Sequence, residues 1–500
     1  MQISLVPGGT IYEAGVNTIG KIDCTDLTQK NYVVVPDAFS MQAEKLVFDV
    51  LDIKSTFNIE VVGISKLASR ILYDGNIPFS RVSGIEEVFN IYQAVKRCEN
   101  DFIYFEKCDV EFCQKILLII KQFKSCKIKP EDIKPTKDEL LNKKMHDLKL
   151  VYTVYQSLLR DKLDLSKLLE FSVESARNEL DLSNVNLFFA NFDSFSLEIG
   201  DFICKLAGLV NKVYIGIAKP VSEKNAYIYE KDIEEKVKKI LEEYGVVAQV
   251  EDIAPRLSGE RRVMAENLFA FNVENGQSDF FVNVLAKSKQ DEIDFVAKYI
   301  RNEVYHGARF NDFAVVIPDE KYYENIKASF GKYGIVAYTD DAVNLSRTIV
   351  GRFLLKLVEM ARLGFDKPAF QYLASSKLFG EDKDCLHDIS FYQIKDESEF
   401  LERYPKYESI IYQIKSMKEC KTISNYVEAL KTFLDTVKEN YKNLISRLDI
   451  DKYFKQASEN EQALELVLQT FDKLVLLGDK QEFSLADFEN ILKISLLMLF

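Results

Sequence analysis

Short apolar runs that stop abruptly, each followed by a segment with helical periodicity, say most about the architecture of this chain. Tyr32–Val35 is too short for anything but a buried strand, and Pro36 and Asp37 break it. Phe39, Ala43, Leu46, Val47, Val50 and Leu51 then recur at helical spacing on one face. Ser40 and Gln42 fall near the start of that helix. Unpaired N–H groups and the positive end of the helix dipole gather there, so a phosphate would be welcome. A second unit follows directly. Ile59–Gly63 reads as another buried strand, and the following helix can turn Leu67, Ile71 and Leu72 inward while Ser65, Lys66, Ser69 and Arg70 face out. On local physics alone, an ordinary strand–turn–helix with a capped start is the simpler account of the first unit, and it is the second, similar unit that points to a binding edge.

Five hundred residues are too many for one core, so two or more domains are expected. No apolar run approaches the roughly 20 residues of a membrane span. No basic region followed by an apolar stretch and a cleavage site opens the chain, so a cytoplasmic location is expected. The eight cysteines form no C-x-x-C pair, and only three histidines could complete a site, so no metal centre is expected. A net charge of −13 argues against indiscriminate binding to nucleic acid but leaves room for a local basic stripe. Ten lysines between Lys115 and Lys149 face five acids there. A solvated helical face explains such a run equally well.

In chain order, Gln2–Val6 reads as a first strand followed by Pro7-Gly8-Gly9-Thr10. A phosphate-binding loop would carry a lysine and a hydroxyl directly after such a strand. Gly15–Lys21 has the G-x-x-x-x-G-K spacing, but it lies too far on and ends in Ile22 where Ser or Thr would hold the metal. Ile85–Cys98, Asp109–Phe123, Glu139–Arg160 and Leu168–Leu180 read as helices, which suggests a helical insertion. Val185–Ala190 returns to a strand that runs into Asp193, and Lys212–Ala218 and Val246–Val250 are further strands. Pro255–Ser278 reads as a crossover, and Phe280–Ala286, Phe313–Ile317 and Ile335–Tyr338 as strands of a second α/β unit. Asp340 and Asp341 suit a turn better than a metal pair. From Ser346 the chain is helical, and its apolar ending implies either a chain that continues or a last helix that docks tightly.

VVVPDAFSMQAEKL followed by VVGISKLASRIL resembles the N-terminal part of the AddB/RexB subunit of bacterial ATP-dependent helicase–nucleases. The Asp193 segment and Arg309–Asp341 extend the resemblance, which covers the whole chain diffusely. It implies an α/β fold of two RecA-like, superfamily-1 helicase-like domains with parallel sheets, each carrying a helical insertion. The implied boundaries are 1–84 with 181–278, the insertion 85–180, a second domain starting at 279–345, and its insertion 346–500. In an active relative Ser194 would be glutamate, the glycine loop would hold lysine, and an arginine would follow the FAVVI strand in place of Pro318-Asp319-Glu320. The resemblance therefore implies a decayed ATPase that binds DNA, with no cofactor in this stretch. ATP and magnesium would belong to an AddA-type partner, and an iron–sulfur cluster and magnesium to a nuclease domain that these residues do not match. It also implies that Ser40, Gln42, Ser65, Lys66 and Arg70 face single-stranded DNA at a duplex end. Ile64 and Ser69 replace aromatics of the family pattern, which weakens sequence-specific reading. Two other readings remain open: an active motor using Lys21, and a structural protein that does not touch DNA.

Overall fold

A computed structural model describes residues 3–106, 108–218, 229–251, 259–267, 281–338, 344–394, 396–450, 454–478 and 481–497. The chain divides into two compact units, Met1–Gly276 and Gln277–Phe500.

The first unit alternates strands and helices: β1 (Ile3–Gly8), α1 (Ile11–Ile19), β2 (Lys30–Val34), α2 (Ser40–Leu51), β3 (Ile59–Val62) and α3 (Ile64–Asp74). Four helices follow: α4 (Gly84–Cys98), α5 (Val110–Ser125), α6 (Glu139–Leu159) and α7 (Leu165–Glu179). The chain then returns through β4 (Val185–Phe189), α8 (Leu197–Ala207), β5 (Lys212–Ala218), α9 (Tyr229–Glu243), β6 (Ala248–Val250) and α10 (Gly259–Asn267). The strands form one sheet in the order β3-β2-β4-β5-β1-β6, and every pairing is parallel. The α/β class read from the sequence is therefore the observed one.

A parallel sheet needs both faces covered, and period two in the strands supplies them. Val33, Val35 and Phe188 join Ile19, Ala43, Leu46 and Val47 on the face that carries α1 and α2. Tyr32, Val34, Leu187 and Phe189 join Leu67, Ile71, Leu168, Val173 and Phe202 on the other. This two-sided burial is why the strands are continuous apolar runs rather than alternating ones. Side-chain caps fix where most of these helices start. Ser83, Asp109, Asp138, Asp164 and Ser196 each accept an N–H three residues on.

The second unit is helical: α11 (Lys289–Tyr305), α12 (Tyr323–Lys332), α13 (Ile349–Leu363), α14 (Lys367–Ser375), α15 (Lys383–Phe391), α16 (Glu397–Arg403), α17 (Glu408–Ser416), α18 (Ile423–Ile450), α19 (Phe454–Gly478) and α20 (Leu485–Leu496). The three strands expected from 280 to 338 are not formed among the described residues: 281–286, 313–317 and 335–338 run without secondary structure. Ile293, Ala297, Ile300, Ile326, Phe330 and Ile335 bury one small core, against which Phe313 and Ile317 pack. The alternate side chains stand in water, Leu285 at 99% and Val316 at 94% exposure. Composition marks these segments as strands, but a strand needs a hydrogen-bonded neighbour for its backbone groups, and no such ladder forms on them among the described residues. The expectations at Phe280, Asp340 and Asp341 and on most of the crossover lie outside the described residues. The described part of the apolar ending docks as α20, where Phe488 stacks on Tyr426 with ring centroids 4.5 Å apart and Ile491, Leu492 and Leu496 are buried.

Candidate nucleic-acid interface and the glycine loop

Parallel strands send all their following loops to one edge of the sheet, so the loops after β1, β2, β3 and β4 share that edge. Because β2 and β3 are neighbours, the starts of α2 and α3 lie at the same edge, α2 on one face of the sheet and α3 on the other. Ser40 and Gln42 at the start of α2 thus share an edge with Ser65 and Lys66 at the start of α3. Lys66 and Gln42 are exposed, and Lys66 has no ion pair among the described residues. A single 3₁₀ turn, Asp37–Phe39, precedes α2, and the Ser40 hydroxyl donates to the Asp37 carbonyl at 2.9 Å. No side chain caps α2, and the preceding 3₁₀ turn takes up N–H groups at its start: the Phe39 N–H donates to the Pro36 carbonyl at 2.8 Å and the Ser40 N–H to the Asp37 carbonyl.

Arg70 does not join this group. It lies toward the far end of α3, where its Nε meets Glu60 at 3.3 Å and Asp74 at 3.5 Å. Asp74 also receives Lys30 at 2.6 Å and the Tyr32 hydroxyl at 3.2 Å. Arg70 closes a structural ion-pair cluster near the opposite edge. Asp74, four residues on from Arg70, was visible in the sequence as a helix-spaced partner. Glu60 comes from the adjacent strand and was not.

Two features of the edge escaped the sequence reading. Asp37 lies so close to the N-terminus of α3 that a Cβ on Gly63 would fall 1.6 Å from its Oδ1. That helix start is thus already faced by an internal carboxylate. Met41, largely exposed, stands between Ser40 and Gln42. The basic stripe is partly neutralised: Lys115 pairs with Glu111, Lys121 with Glu87, Lys124 with Asp164, Lys127 with Asp201 and Lys143 with Glu139. Lys134, Lys137, Lys144 and Lys149 carry no ion pair among the described residues.

The glycine loop is closed from inside. The Gly9 N–H donates to Glu13 Oε2 at 2.9 Å, and the Glu13 N–H donates to the Thr10 hydroxyl at 3.0 Å. Asn17 Nδ2 donates to the Pro7 carbonyl at 2.9 Å. Gly8 is pressed so tightly on α1 that a Cβ would meet the Ala14 nitrogen at 2.2 Å. A buried carboxylate therefore takes up an N–H and the helix dipole at the place where a phosphate-binding loop would present them. Thr10-x-x-Glu13 has the spacing of a capping box, a signal already present in the sequence.

Gly15 to Ile19 are inside α1, so the G-x-x-x-x-G-K spacing makes no phosphate loop, and Lys21 pairs with Glu251 just beyond β6. Asp193 is exposed after β4, with the Ser194 hydroxyl 3.3 Å from its Oδ1. Among the described residues no three His, Cys, Asp or Glu side chains gather in a way that could hold a metal ion. No described helix is long and apolar enough to cross a membrane.

A protein of Clostridium botulinum strain Langeland, named as one subunit of an ATP-dependent helicase/deoxyribonuclease, is 24% identical over 94% of this chain and 46% of its own length. Proteins of the same name from Clostridium perfringens and Caldanaerobacter subterraneus are 23% and 20% identical over 90% and 92% of this chain. The chain spans rather less than half the length of these relatives. The family described as "ADDB, N-terminal" matches residues 16–271, just over half of the chain, and the chain belongs to that family.

Proposed function

We propose that this chain is the DNA-holding, ATPase-inactive, helicase-like part of a helicase–nuclease subunit that processes double-strand breaks for recombinational repair. It works in the cytoplasm beside an AddA-type partner that supplies the motor. The observation that carries this reading is the Glu13 carboxylate inside the glycine loop. A nucleoside triphosphate would have to displace it and would meet its charge, and Lys21, paired with Glu251, is not placed to compensate. The same sheet edge leaves the exposed Lys66 to meet the phosphates of a single strand, with Ser40, Gln42 and Ser65 as hydrogen-bonding groups at that edge. Residues 279–345 are read as the beginning of a second domain of the same kind and 346–500 as its insertion.

Fluorescence anisotropy with single-stranded DNA at two salt concentrations, with and without ATP, tests this. Binding should weaken with salt and ignore ATP. Lys66→Ala should lower the slope of log affinity against log salt by about 0.7, the value for one phosphate contact to a single strand. Arg70→Ala, by contrast, should act on stability. DNA-stimulated ATP turnover that Lys21→Ala abolishes would make the chain a motor. No binding at low salt would make its role purely structural.

A further inference from the structure

The edge of the sheet opposite the candidate DNA contacts carries a second surface. Its two loops lead into the neighbouring strands β2 and β3, and each holds a large apolar side chain out in water. Leu27 is 72% exposed and Phe57 98%. Neither loop is slack. Asp23 Oδ1 accepts both the backbone N–H (2.9 Å) and the hydroxyl (2.6 Å) of Thr25, and Asp26 Oδ1 does the same for Thr28 at 3.0 and 2.6 Å. These are two successive Asx turns around Leu27. Asn58 then ties the loops together, its Nδ2 donating to the carbonyls of Asp26 (3.1 Å) and Gln29 (3.3 Å) while Thr56 donates to its Oδ1 at 3.1 Å.

Exposed apolar side chains on ordered loops are the form a docking surface takes when its binding entropy has been reduced in advance. We propose that Leu27 and Phe57 are paired knobs for a partner protein whose surface offers an apolar socket edged with lysine or arginine. The basic edge follows from charge: Asp23, Asp26 and Asp52 on these loops stand against Lys21 and Lys54, of which Lys21 is already paired with Glu251, while Lys212 acts on Asp23 from β5. The Thr25 hydroxyl and N–H hold the Asp23 carboxyl below its ordinary value, so it stays ionised under ordinary conditions. The partner is the companion subunit, since the relatives are each named as one subunit of an enzyme. Strands of four or five residues separate the two edges by roughly 15 Å, so this partner and a DNA strand can be held together.

This rests on the reading of the chain as one subunit of two, and the test separates the two claims. Binding of the companion subunit is measured by sedimentation for the unaltered chain, a Leu27→Ser/Phe57→Ser variant, Asn58→Ala, and a Leu118→Ser control that removes an exposed side chain on α5. The double variant should bind about a hundredfold or more weaker, as for two lost anchor residues, and Asn58→Ala about tenfold. The control, the unfolding midpoint of the double variant and its affinity for single-stranded DNA should not change. Equal binding by the double variant overturns the knob assignment while leaving the two-subunit reading in place. No binding by the unaltered chain overturns both. If the same double substitution in a chain of the relatives' full length lowers the unfolding midpoint, the knobs are covered by that chain's own further residues, and the partner assignment falls.

Discussion

The six strands of the first unit and the three strand-like segments of the second are written in much the same residues but end differently. KNYVV and VNLFF lie in a sheet with a partner on each side. FAVVI and IVAY present the same mixture of β-branched and aromatic residues, yet no backbone hydrogen bond joins these segments to one another or to 281–286 among the described residues. Helices cover one side of them, much as helices cover the sheet. What differs is company along the hydrogen-bonding direction. β-propensity describes how well a side chain fits a pleated, half-buried surface, and it cannot supply the adjoining strand.

Hydrogen exchange is where the two regions should differ most. Amides in β2 and β4 should open only with the whole unit, at a free energy of the order of 5–15 kcal/mol, while those of 313–317 should exchange at close to the unstructured rate. Strong protection at 313–317 would mean that these segments do pair, and the contrast would disappear. A smaller effect follows from a single core ring. Phe188, 1% exposed, stacks on Tyr214 with centroids 5.1 Å apart. Phe188→Ala should cost about 3–5 kcal/mol in urea unfolding with an unchanged m-value, because the paired strands around it cannot collapse into the space.

The first unit also shows how a segment without strand partners is kept in order. The loop after α4 is irregular, but the N–H groups of Ile103, Tyr104 and Phe105 all donate to the carboxylate of Asp147, at 2.9 to 3.2 Å. Burial alone would raise the Asp147 carboxyl, but these N–H groups and His146 bring it below its ordinary value of 3.8. Its stabilisation is therefore complete above the unfolded-chain value and is lost as pH falls through the lower folded-state value. Asp147→Ala, which strands three donors, should cost about 2–3 kcal/mol near neutral pH, and the difference from the unaltered chain should shrink in acid. A pH-independent difference in urea midpoints would show that the carboxylate's charge plays no part.

How much of this was legible depends on whether the deciding partner was near in sequence. Tyr32–Val35 and Val185–Ala190 announced themselves because both faces of a parallel strand are buried, which leaves an unbroken apolar run. That Ser40, Gln42, Ser65 and Lys66 stand at one edge of the sheet needed only consecutive parallel strands. Glu13 was legible as a capping spacing three residues after Thr10, although its donor proved to be Gly9. The ion pairs of Arg70 were only half legible, because the carboxylate of Glu60, which helps to fix it, comes from another element. Phe313–Ile317 was misread for the same reason in reverse: its pattern was right, and the neighbour that would realise it lies beyond the pattern's reach.

The smallest effect offers the sharpest comparison, because it makes one chemical change in two settings. Val34 is fully buried in β2, and Val316 stands in water. Both lie in a short run of strand-forming residues followed by proline, YVVVP and FAVVIP, so propensity predicts the same cost for Val→Ala at each. Burial predicts different costs. Val34→Ala should lose most of the roughly 1.5–3 kcal/mol gained by removing such a side chain from water. Val316→Ala should change stability by no more than about 0.5 kcal/mol. Equal losses at the two positions would mean that the 313–317 segment is held in a sheet after all. A loss confined to Val34 would show that the strand pattern stabilises this chain only where a neighbouring strand completes it.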